Sequence, residues 1–343
     1  MLEPARRDRY RRLRHVAEVG SSGPELIAGR SALIIGCGAL GSVAASLLVR
    51  AGVGSIVLVD RDVVEESNLT DQTLFAEADA TAGRPKAEVA AERLATFNRR
   101  VDVRGRVLDF SSYNAEALAD MADVIVDASD NLETKYLIND VATSTGTPWI
   151  YGGCAGRLGV IMTVVPGRSH CLRCLWPEPP RPARVDGCES MGLLPATASI
   201  IGSLQANEAI KILVDKSDEV LRGLNRIDCW SWRLRSIPLP AYEPSSCPCC
   251  GGRSFPYLDG TAVQAPSLLC GGDTVLIAGT DPGFDYSAAR TRLTDQEPGG
   301  DEDFFRFAAN GCHFLVFRSG RTLVHGTSDP REAQSLYAQF LLP

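Results

Sequence analysis

Through the first 150 residues, short apolar runs alternate with amphipathic stretches. Ala32-Leu33-Ile34-Ile35 is an unbroken apolar run, the pattern of a strand buried on both faces. Residues 43–48 read as a helix. Ser55-Ile56-Val57-Leu58-Val59 forms a second strand and ends in Asp60. A helical pattern covers residues 87–97, with Pro85 near its first turn, where a missing N–H is harmless. Residues 101–107 alternate as a strand, and residues 111–121 read as a helix capped by Ser111 or Ser112. A buried strand over 123–128, a helix over 132–145 and a strand over 149–153 follow. Strands alternating with helices predict an α/β, Rossmann-like doubly wound sheet.

The pattern then changes. The apolar strand at 159–165 has no helix before it, so the sheet continues with antiparallel strands. A Pro-, Glu- and Arg-rich loop, residues 176–195, carries Cys188 in its middle. A long helix is predicted over 196–214, then strands over 225–230 and 233–239. Residues 1–252 thus form one unit, and residues 253–265 are a Pro- and Gly-containing linker. Residues 266–343 form a small α+β module. It has strands over 274–278, 304–308, 313–317 and 322–325, and helices over 285–293 and 329–341. Ser319-Gly320 makes a hairpin turn between the last two strands.

Composition narrows the function classes. The 343 residues carry a net charge of −7 and are 45% hydrophobic. An acidic chain with a proper core disfavours nucleic acid as the main partner. No apolar run approaches the ~20 residues that span a bilayer. The Arg-rich start has no apolar stretch behind it and is not a secretory signal. The eleven cysteines are odd in number and partly in C-x-x-C pairs. A reducing cytoplasm with a metal site is the better reading than a disulfide framework.

Candidate chemistry begins at Gly36-Cys37-Gly38-Ala39-Leu40-Gly41, between the first strand and the first helix. Gly36 permits a tight turn, Gly38 lets backbone approach a phosphate, and Gly41 lets helix and strand pack closely. The helix N-terminus offers N–H groups to an anion. Asp60, about 20 residues on, is where a ribose hydroxyl is normally gripped. Ser129-Asp130-Asn131 ends another strand on the ligand side of such a sheet. These features indicate an adenine nucleotide, either a redox dinucleotide or ATP. Cys171/Cys174 and Cys247/Cys250 are two C-x-x-C pairs that together suit a closed structural Zn²⁺ site, with Cys249 a competitor of Cys250. Lys86 is one of four lysines and, taken alone, reads as a surface residue.

Taken in order, these motifs resemble the bacterial E1-like adenylyltransferases of the MoeB/ThiF/HesA group. The likeness runs over residues 5–252. It rests on the glycine turn, Asp60-Arg61-Asp62, Ser67-Asn68-Leu69, Arg84-Pro85-Lys86, Ser129-Asp130-Asn131, the cysteine pairs and Ile201-Gly202-Ser203-Leu204-Gln205-Ala206. The resemblance implies ATP rather than NAD. It implies adenylation of the Gly-Gly C-terminus of a ubiquitin-like sulfur-carrier protein, which then receives sulfur as a thiocarboxylate. It assigns Gly36, Gly38, Ala39, Leu40, Gly41, Asp60, Asp62, Asn68 and Asn131 to nucleotide binding, with Asp60 on the ribose. It assigns Lys86 and Arg12 to the phosphates and Asp130 to Mg²⁺. Cys188 either links covalently to the carrier or is a bystander. A homodimer is expected.

Three departures qualify the resemblance. Ala39 stands where the family usually has glycine. Asp71 stands where it has an arginine that reaches the phosphates, so Arg12, Arg84 or another arginine must compensate if the enzyme is active. The alternative is a degenerate relative that binds nucleotide or carrier without chemistry, or one that adenylates another peptide. The C-terminal module has no rhodanese-type cysteine loop, which implies a separate sulfur donor.

Overall fold

Along strand β1 (Ser31–Ile35) successive side chains enter two different cores, because strand side chains alternate between faces. Ala32 and Ile34 join one buried cluster, and Leu33 and Ile35 join the other. The computed structural model describes residues 9–179, 191–262, 267–268, 274–277, 284–296, 298–300 and 304–343. β1 lies inside an eight-stranded sheet with β2 (Ser55–Asp60), β3 (Asp102–Val107), β4 (Val124–Asp127), β5 (Trp149–Ala155), β6 (Leu158–Val164), β7 (Leu224–Asp228) and β8 (Arg233–Ile237). The order is β3-β2-β1-β4-β5-β6-β7-β8. From β3 to β5 the pairs are parallel; from β5 to β8 they are antiparallel, as the change in pattern predicts.

The helices α1 (Arg11–Arg14), α2 (Gly23–Ala28), α3 (Ala39–Ala51), α4 (Glu77–Thr81), α5 (Lys86–Phe97), α6 (Ala115–Ala119), α7 (Leu132–Thr145), α8 (Leu172–Leu175) and α9 (Pro195–Leu213) accompany this sheet. Leu48 of α3, Leu94 of α5 and Ile201 of α9 pack on the Ile34 side. Leu118 of α6 and Leu137 and Val141 of α7 pack on the Leu33 side. Each such side chain contributes roughly 1.5–3 kcal/mol of burial free energy. α9 reaches α3 closely because Gly202 has no side chain: a Cβ there would sit 2.6 Å from the Leu40 carbonyl oxygen.

The helix predicted over 111–121 is shorter than expected, Ala115–Ala119. Asn114 folds back on the preceding residues, accepting the Ser111 N–H at 3.0 Å and donating to the Asp109 carbonyl at 2.9 Å. These bonds hold the chain in a turn until Asn114, which starts the helix in place of Ser111 or Ser112. Within the expected linker, Phe255 is buried in the second core. The Tyr257 N–H donates to Asp140 at 3.0 Å. The N-terminal arm is also anchored: Tyr10 is buried, and its hydroxyl accepts from Asn98 at 2.8 Å.

A second, wholly antiparallel sheet follows the order β11-β12-β13-β14-β10-β9. Its strands are β9 (Ser267–Leu268), β10 (Thr274–Ile277), β11 (Gly299–Gly300), β12 (Phe304–Ala309), β13 (Cys312–Phe317) and β14 (Thr322–His325). The two-residue strands β9 and β11 are too short to carry a periodic signal. Helices α10 (Tyr286–Arg292) and α11 (Pro330–Leu341) supply Ala289, Ala333, Tyr337 and Leu341 to a core with Val275, Phe305, Phe314 and Cys312. Both helices are capped by aspartates predicted within them, Asp285 and Asp329.

The β1–α3 turn has little tolerance for added atoms. A Cβ at Gly41 would lie 2.0 Å from the Gly36 carbonyl oxygen. Gly41→Ala is expected to lower the unfolding free energy by about 2–3 kcal/mol, read as a fall in the urea midpoint at unchanged m-value.

Candidate functional site: a nucleotide cleft

β1 leads outward to β2 on one side, while β4 lies on the other, so the sheet opens at the carboxyl ends of β1 and β4. Ligands of open α/β sheets bind at this kind of reversal. A cleft of about 310 Å³ occupies it. The glycine turn forms its floor. Gly36 has φ +96°, and a Cβ there would lie 2.5 Å from the Ala128 carbonyl oxygen. Asp60 braces the turn rather than facing out: its two oxygens accept the N–H of Cys37 at 2.6 Å and of Asp62 at 2.8 Å. Burial, and then the neighbouring charge of Asp62, push the Asp60 carboxyl up to about 6 despite Lys86.

Gly36, Gly38, Ala39, Leu40, Asp60, Asp62, Asn68, Lys86, Asp130 and Asn131 all line the cleft. Gly41 lies behind it, where it admits the close packing of α3. Lys86 is buried at the first turn of α5, and its Nζ lies 3.4 Å from Asp62. Burial works against the ammonium charge, but Asp62, Asp60 and Asp130 outweigh it and raise the Lys86 pKa. Lys86 is therefore a fixed cation, not a surface lysine and not a base. Asp62 is the more open carboxylate of the pair, and Lys86 and Arg61 hold it below its ordinary range although burial opposes them.

Asp130 and Asn131 sit where β4 hands over to α7. The Asn131 side chain caps that helix through the Thr134 N–H at 2.9 Å and donates to Asp130 at 3.2 Å. Beneath them lies a buried group that sequence reading missed. The Lys135 ammonium donates at 2.8 Å to Asp127, to the Ser129 carbonyl and to the Gly152 carbonyl. It ties the Asp130 loop to β4 and β5. Gln205 of α9 does similar work, donating to the Asp127 carbonyl at 2.5 Å and the Ile150 carbonyl at 3.2 Å.

Charge in the cleft is unbalanced. Among the described residues, Asp60, Asp62, Glu65, Asp71, Asp109 and Asp130 line it, against the cations Arg61, Lys86 and Lys135. Arg61 is already engaged with Asp109 at 2.7 Å. Asp71 lines the cleft as its position predicts, and burial pushes its carboxyl up. The proposed compensators do not reach it. Arg84 pairs with Glu92 at 2.7 Å, and Arg12 is exposed on α1, outside the lining of its own chain's cleft. Cys188 lies outside the described residues. Thr274 and His325 complete the lining from the second sheet, and nothing in the sequence links them to it.

The cysteine pairs meet beside α7, whose Asn139 accepts the Leu172 N–H at 2.7 Å. The ligand sulfurs of Cys171, Cys174, Cys247 and Cys250 all lie within 4.8 Å of one another. The Cys250 N–H points at the Cys247 sulfur at 3.4 Å. Cys249 is buried against Asn139 and Asp140 and is not one of the four mutually close sulfurs. Four sulfurs from two C-x-x-C pairs match the donor set of structural zinc.

A glycine turn, a buried lysine and a strand-end aspartate converging on one cleft accompany a close match elsewhere. The ThiF family model matches residues 10–249. The chain belongs to the ThiF family. It is 35% identical over 337 residues to the sulfur carrier protein ThiS adenylyltransferase of Bacillus subtilis, covering 97% of this chain and 99% of that protein. It is 36% identical to the SAMP-activating enzyme E1 of Haloferax volcanii, over 73% of this chain and 91% of that one. In fold it is similar to E. coli MccB, with a TM-score of 0.63 at 22% identity, covering 73% of this chain and 74% of that one. No described helix is long and apolar enough to cross a membrane.

The buried state of Asp60 makes a pH prediction. Its folded pKa, about 6, exceeds the ordinary 3.8, so between these values the folded protein binds more protons than the unfolded chain. Stability from this group is then lost as pH rises through that window. Relative to Asp60→Asn, the wild type is expected to lose about 2–3 kcal/mol between pH 4 and pH 6.5, measured by urea unfolding at each pH.

Proposed function

We propose that this chain is an ATP-dependent adenylyltransferase acting on the C-terminal Gly-Gly carboxylate of a ubiquitin-like sulfur-carrier protein. The observation that carries the reading is the convergence of Lys86 and Asp130 on the cleft above the glycine turn. The named activities of the Bacillus and Haloferax relatives support the same substrate class. The product is a carrier acyl-adenylate, which a separate sulfur donor converts to a thiocarboxylate.

The carrier carboxylate is the nucleophile. It is ionised at neutral pH and needs no base, so the protein's work is positioning and charge compensation. One carboxylate oxygen bonds to the α-phosphorus as the bond from that phosphorus to the pyrophosphate oxygen breaks. The helix α3 N-terminus and the backbone at Gly38 face the phosphates. Lys86 supplies the fixed positive charge; its 3.4 Å spacing from Asp62 is loose enough to share with a phosphate oxygen. Asp62, the more open acid, takes the ribose role, while Asp60 braces the turn. Asp130 would hold Mg²⁺, which would supply positive charge to offset that of pyrophosphate. Lys135 and Asn131 fix the loop that carries Asp130. The four cysteines hold a structural Zn²⁺. The enzyme works as a cytoplasmic homodimer, and Arg12 serves the triphosphate only if a second copy delivers it.

Asp71 favours one competing reading, a nucleotide-binding relative without chemistry. ATP–pyrophosphate exchange in the presence of a Gly-Gly-ending carrier decides between them. Exchange is expected for the wild type. Lys86→Ala and Asp130→Ala are each expected to lower kcat/KM by on the order of 10²–10³. Asp71→Arg is expected to lower KM for ATP. ATP binding without exchange, with any carrier supplied, would overturn the adenylation reading. Zinc is tested separately: one equivalent of metal per chain by elemental analysis, lost together with thermal stability in Cys171→Ser.

A further inference from the structure

The second sheet turns one face to the cleft. Leu323 and His325 share a side of β14, because strand side chains repeat every second residue, and Arg321 stands in the hairpin turn just before that strand. Thr274 and Leu276 face the same way on β10, paired with His325 and Leu323 respectively. The helices α10 and α11 cover the opposite face. Leu276 and Leu323 are buried in a small cluster of their own with Leu315 and Phe317.

At one end of this face Arg321 is almost wholly buried. Its guanidinium contacts Asp109 at 2.5 Å and also Glu133, in the first turn of α7. Asp109 also accepts from Arg61, the neighbour of Asp60. The attachment therefore grips both flanks of the cleft. Breaking it would leave buried carboxylates short of a cation, which is a strong penalty. Such a contact suits a permanent wall rather than a releasable latch. At the other end His325 and Thr274 border the cleft, joined by a 2.8 Å contact between Thr274 Oγ1 and His325 Nδ1 that fixes the ring.

We propose that the C-terminal sheet is the outer wall of the nucleotide cleft and that His325 is a binding residue for the phosphate chain of ATP, held in place by Thr274 and Arg321. The inference rests on the reading that ATP occupies this cleft. Its chemical basis is the shortage of donors there. Acidic side chains outnumber the cations, Arg61 is spoken for by Asp109, and Lys135 by Asp127. Asp71 removes a further positive charge that the resemblance leads one to expect. An imidazole reaching in from the second sheet supplies an N–H donor to a triphosphate without adding another carboxylate.

The test uses the full-length protein with Mg²⁺ and titration calorimetry against ATP and against AMP, which shares the nucleoside but lacks the pyrophosphate. His325→Ala is expected to weaken ATP binding about tenfold or more while AMP changes less than twofold. His325→Gln, which keeps a side-chain N–H, recovers part of the loss. Thr274→Val and Arg321→Ala move ATP affinity in the same direction, and combining either with His325→Ala adds little. Circular dichroism and thermal melts confirm that each variant is folded. Unchanged ATP affinity in folded His325→Ala overturns the proposal, as does an equal loss for ATP and AMP, which would mark a nucleoside contact. Wild-type exchange measured alongside separates the two readings. Normal exchange with no His325 effect sinks only this proposal. A selective His325 effect on ATP without exchange supports it and sinks only adenylation.

Discussion

Backbone must touch backbone for this cleft to exist. The glycine turn lies so close to the end of β4 that a single methyl at Gly36 would collide with the Ala128 carbonyl. That approach sets the N-terminus of α3 against the reversal point of the sheet. It also brings Cys37 within reach of Asp60, whose buried carboxylate then fixes both the turn and the chain leaving β2. The site's other parts, the Asp130 loop and the Lys86 helix start, are arranged around that fixed point.

Electrostatics supply the second layer. Buried Asp127 and Lys135 form an internal pair whose spare donors go to carbonyls of two neighbouring chain segments. Removing either partner would strand the other in a low-dielectric interior, the costly case for buried ions. The pair lies just below the cleft, so the loop bearing Asp130 is held from beneath. Above it, Arg61, Asp109 and Arg321 form a chain of contacts across the mouth. The cleft is thus framed by paired charges, while Lys86 is shared loosely with Asp62.

The sequence carried the fold in its periodicities and most of the cleft in its motifs. The glycine turn, Asp62, Lys86, Asp130 and the zinc-type cysteine pairs all lie in segments whose pattern is local and legible. What escaped was non-local. Lys135 reads as an ordinary helical lysine until α7 is placed against β4 and β5. Gln205 reads as a polar break in an apolar helix until its amide meets two strand-end carbonyls. Arg321 and His325 are separated from Asp109 by more than two hundred residues, and no spacing rule connects them. The helix predicted over 111–121 is shorter in the structure because Asn114 competes for the backbone locally, a side-chain hydrogen bond that apolar periodicity does not register.

The four-cysteine cluster ties positions 76 residues apart, and the interval holds β7, β8 and the whole of α9. During synthesis the first C-x-x-C pair leaves the ribosome long before its mates. The strands through β6 are therefore synthesised before the second cysteine pair exists. Closing so long an interval carries an entropic toll that grows only slowly with length. A metal held by all four sulfurs could be enclosed only after α9 and the two strands that follow it had been synthesised.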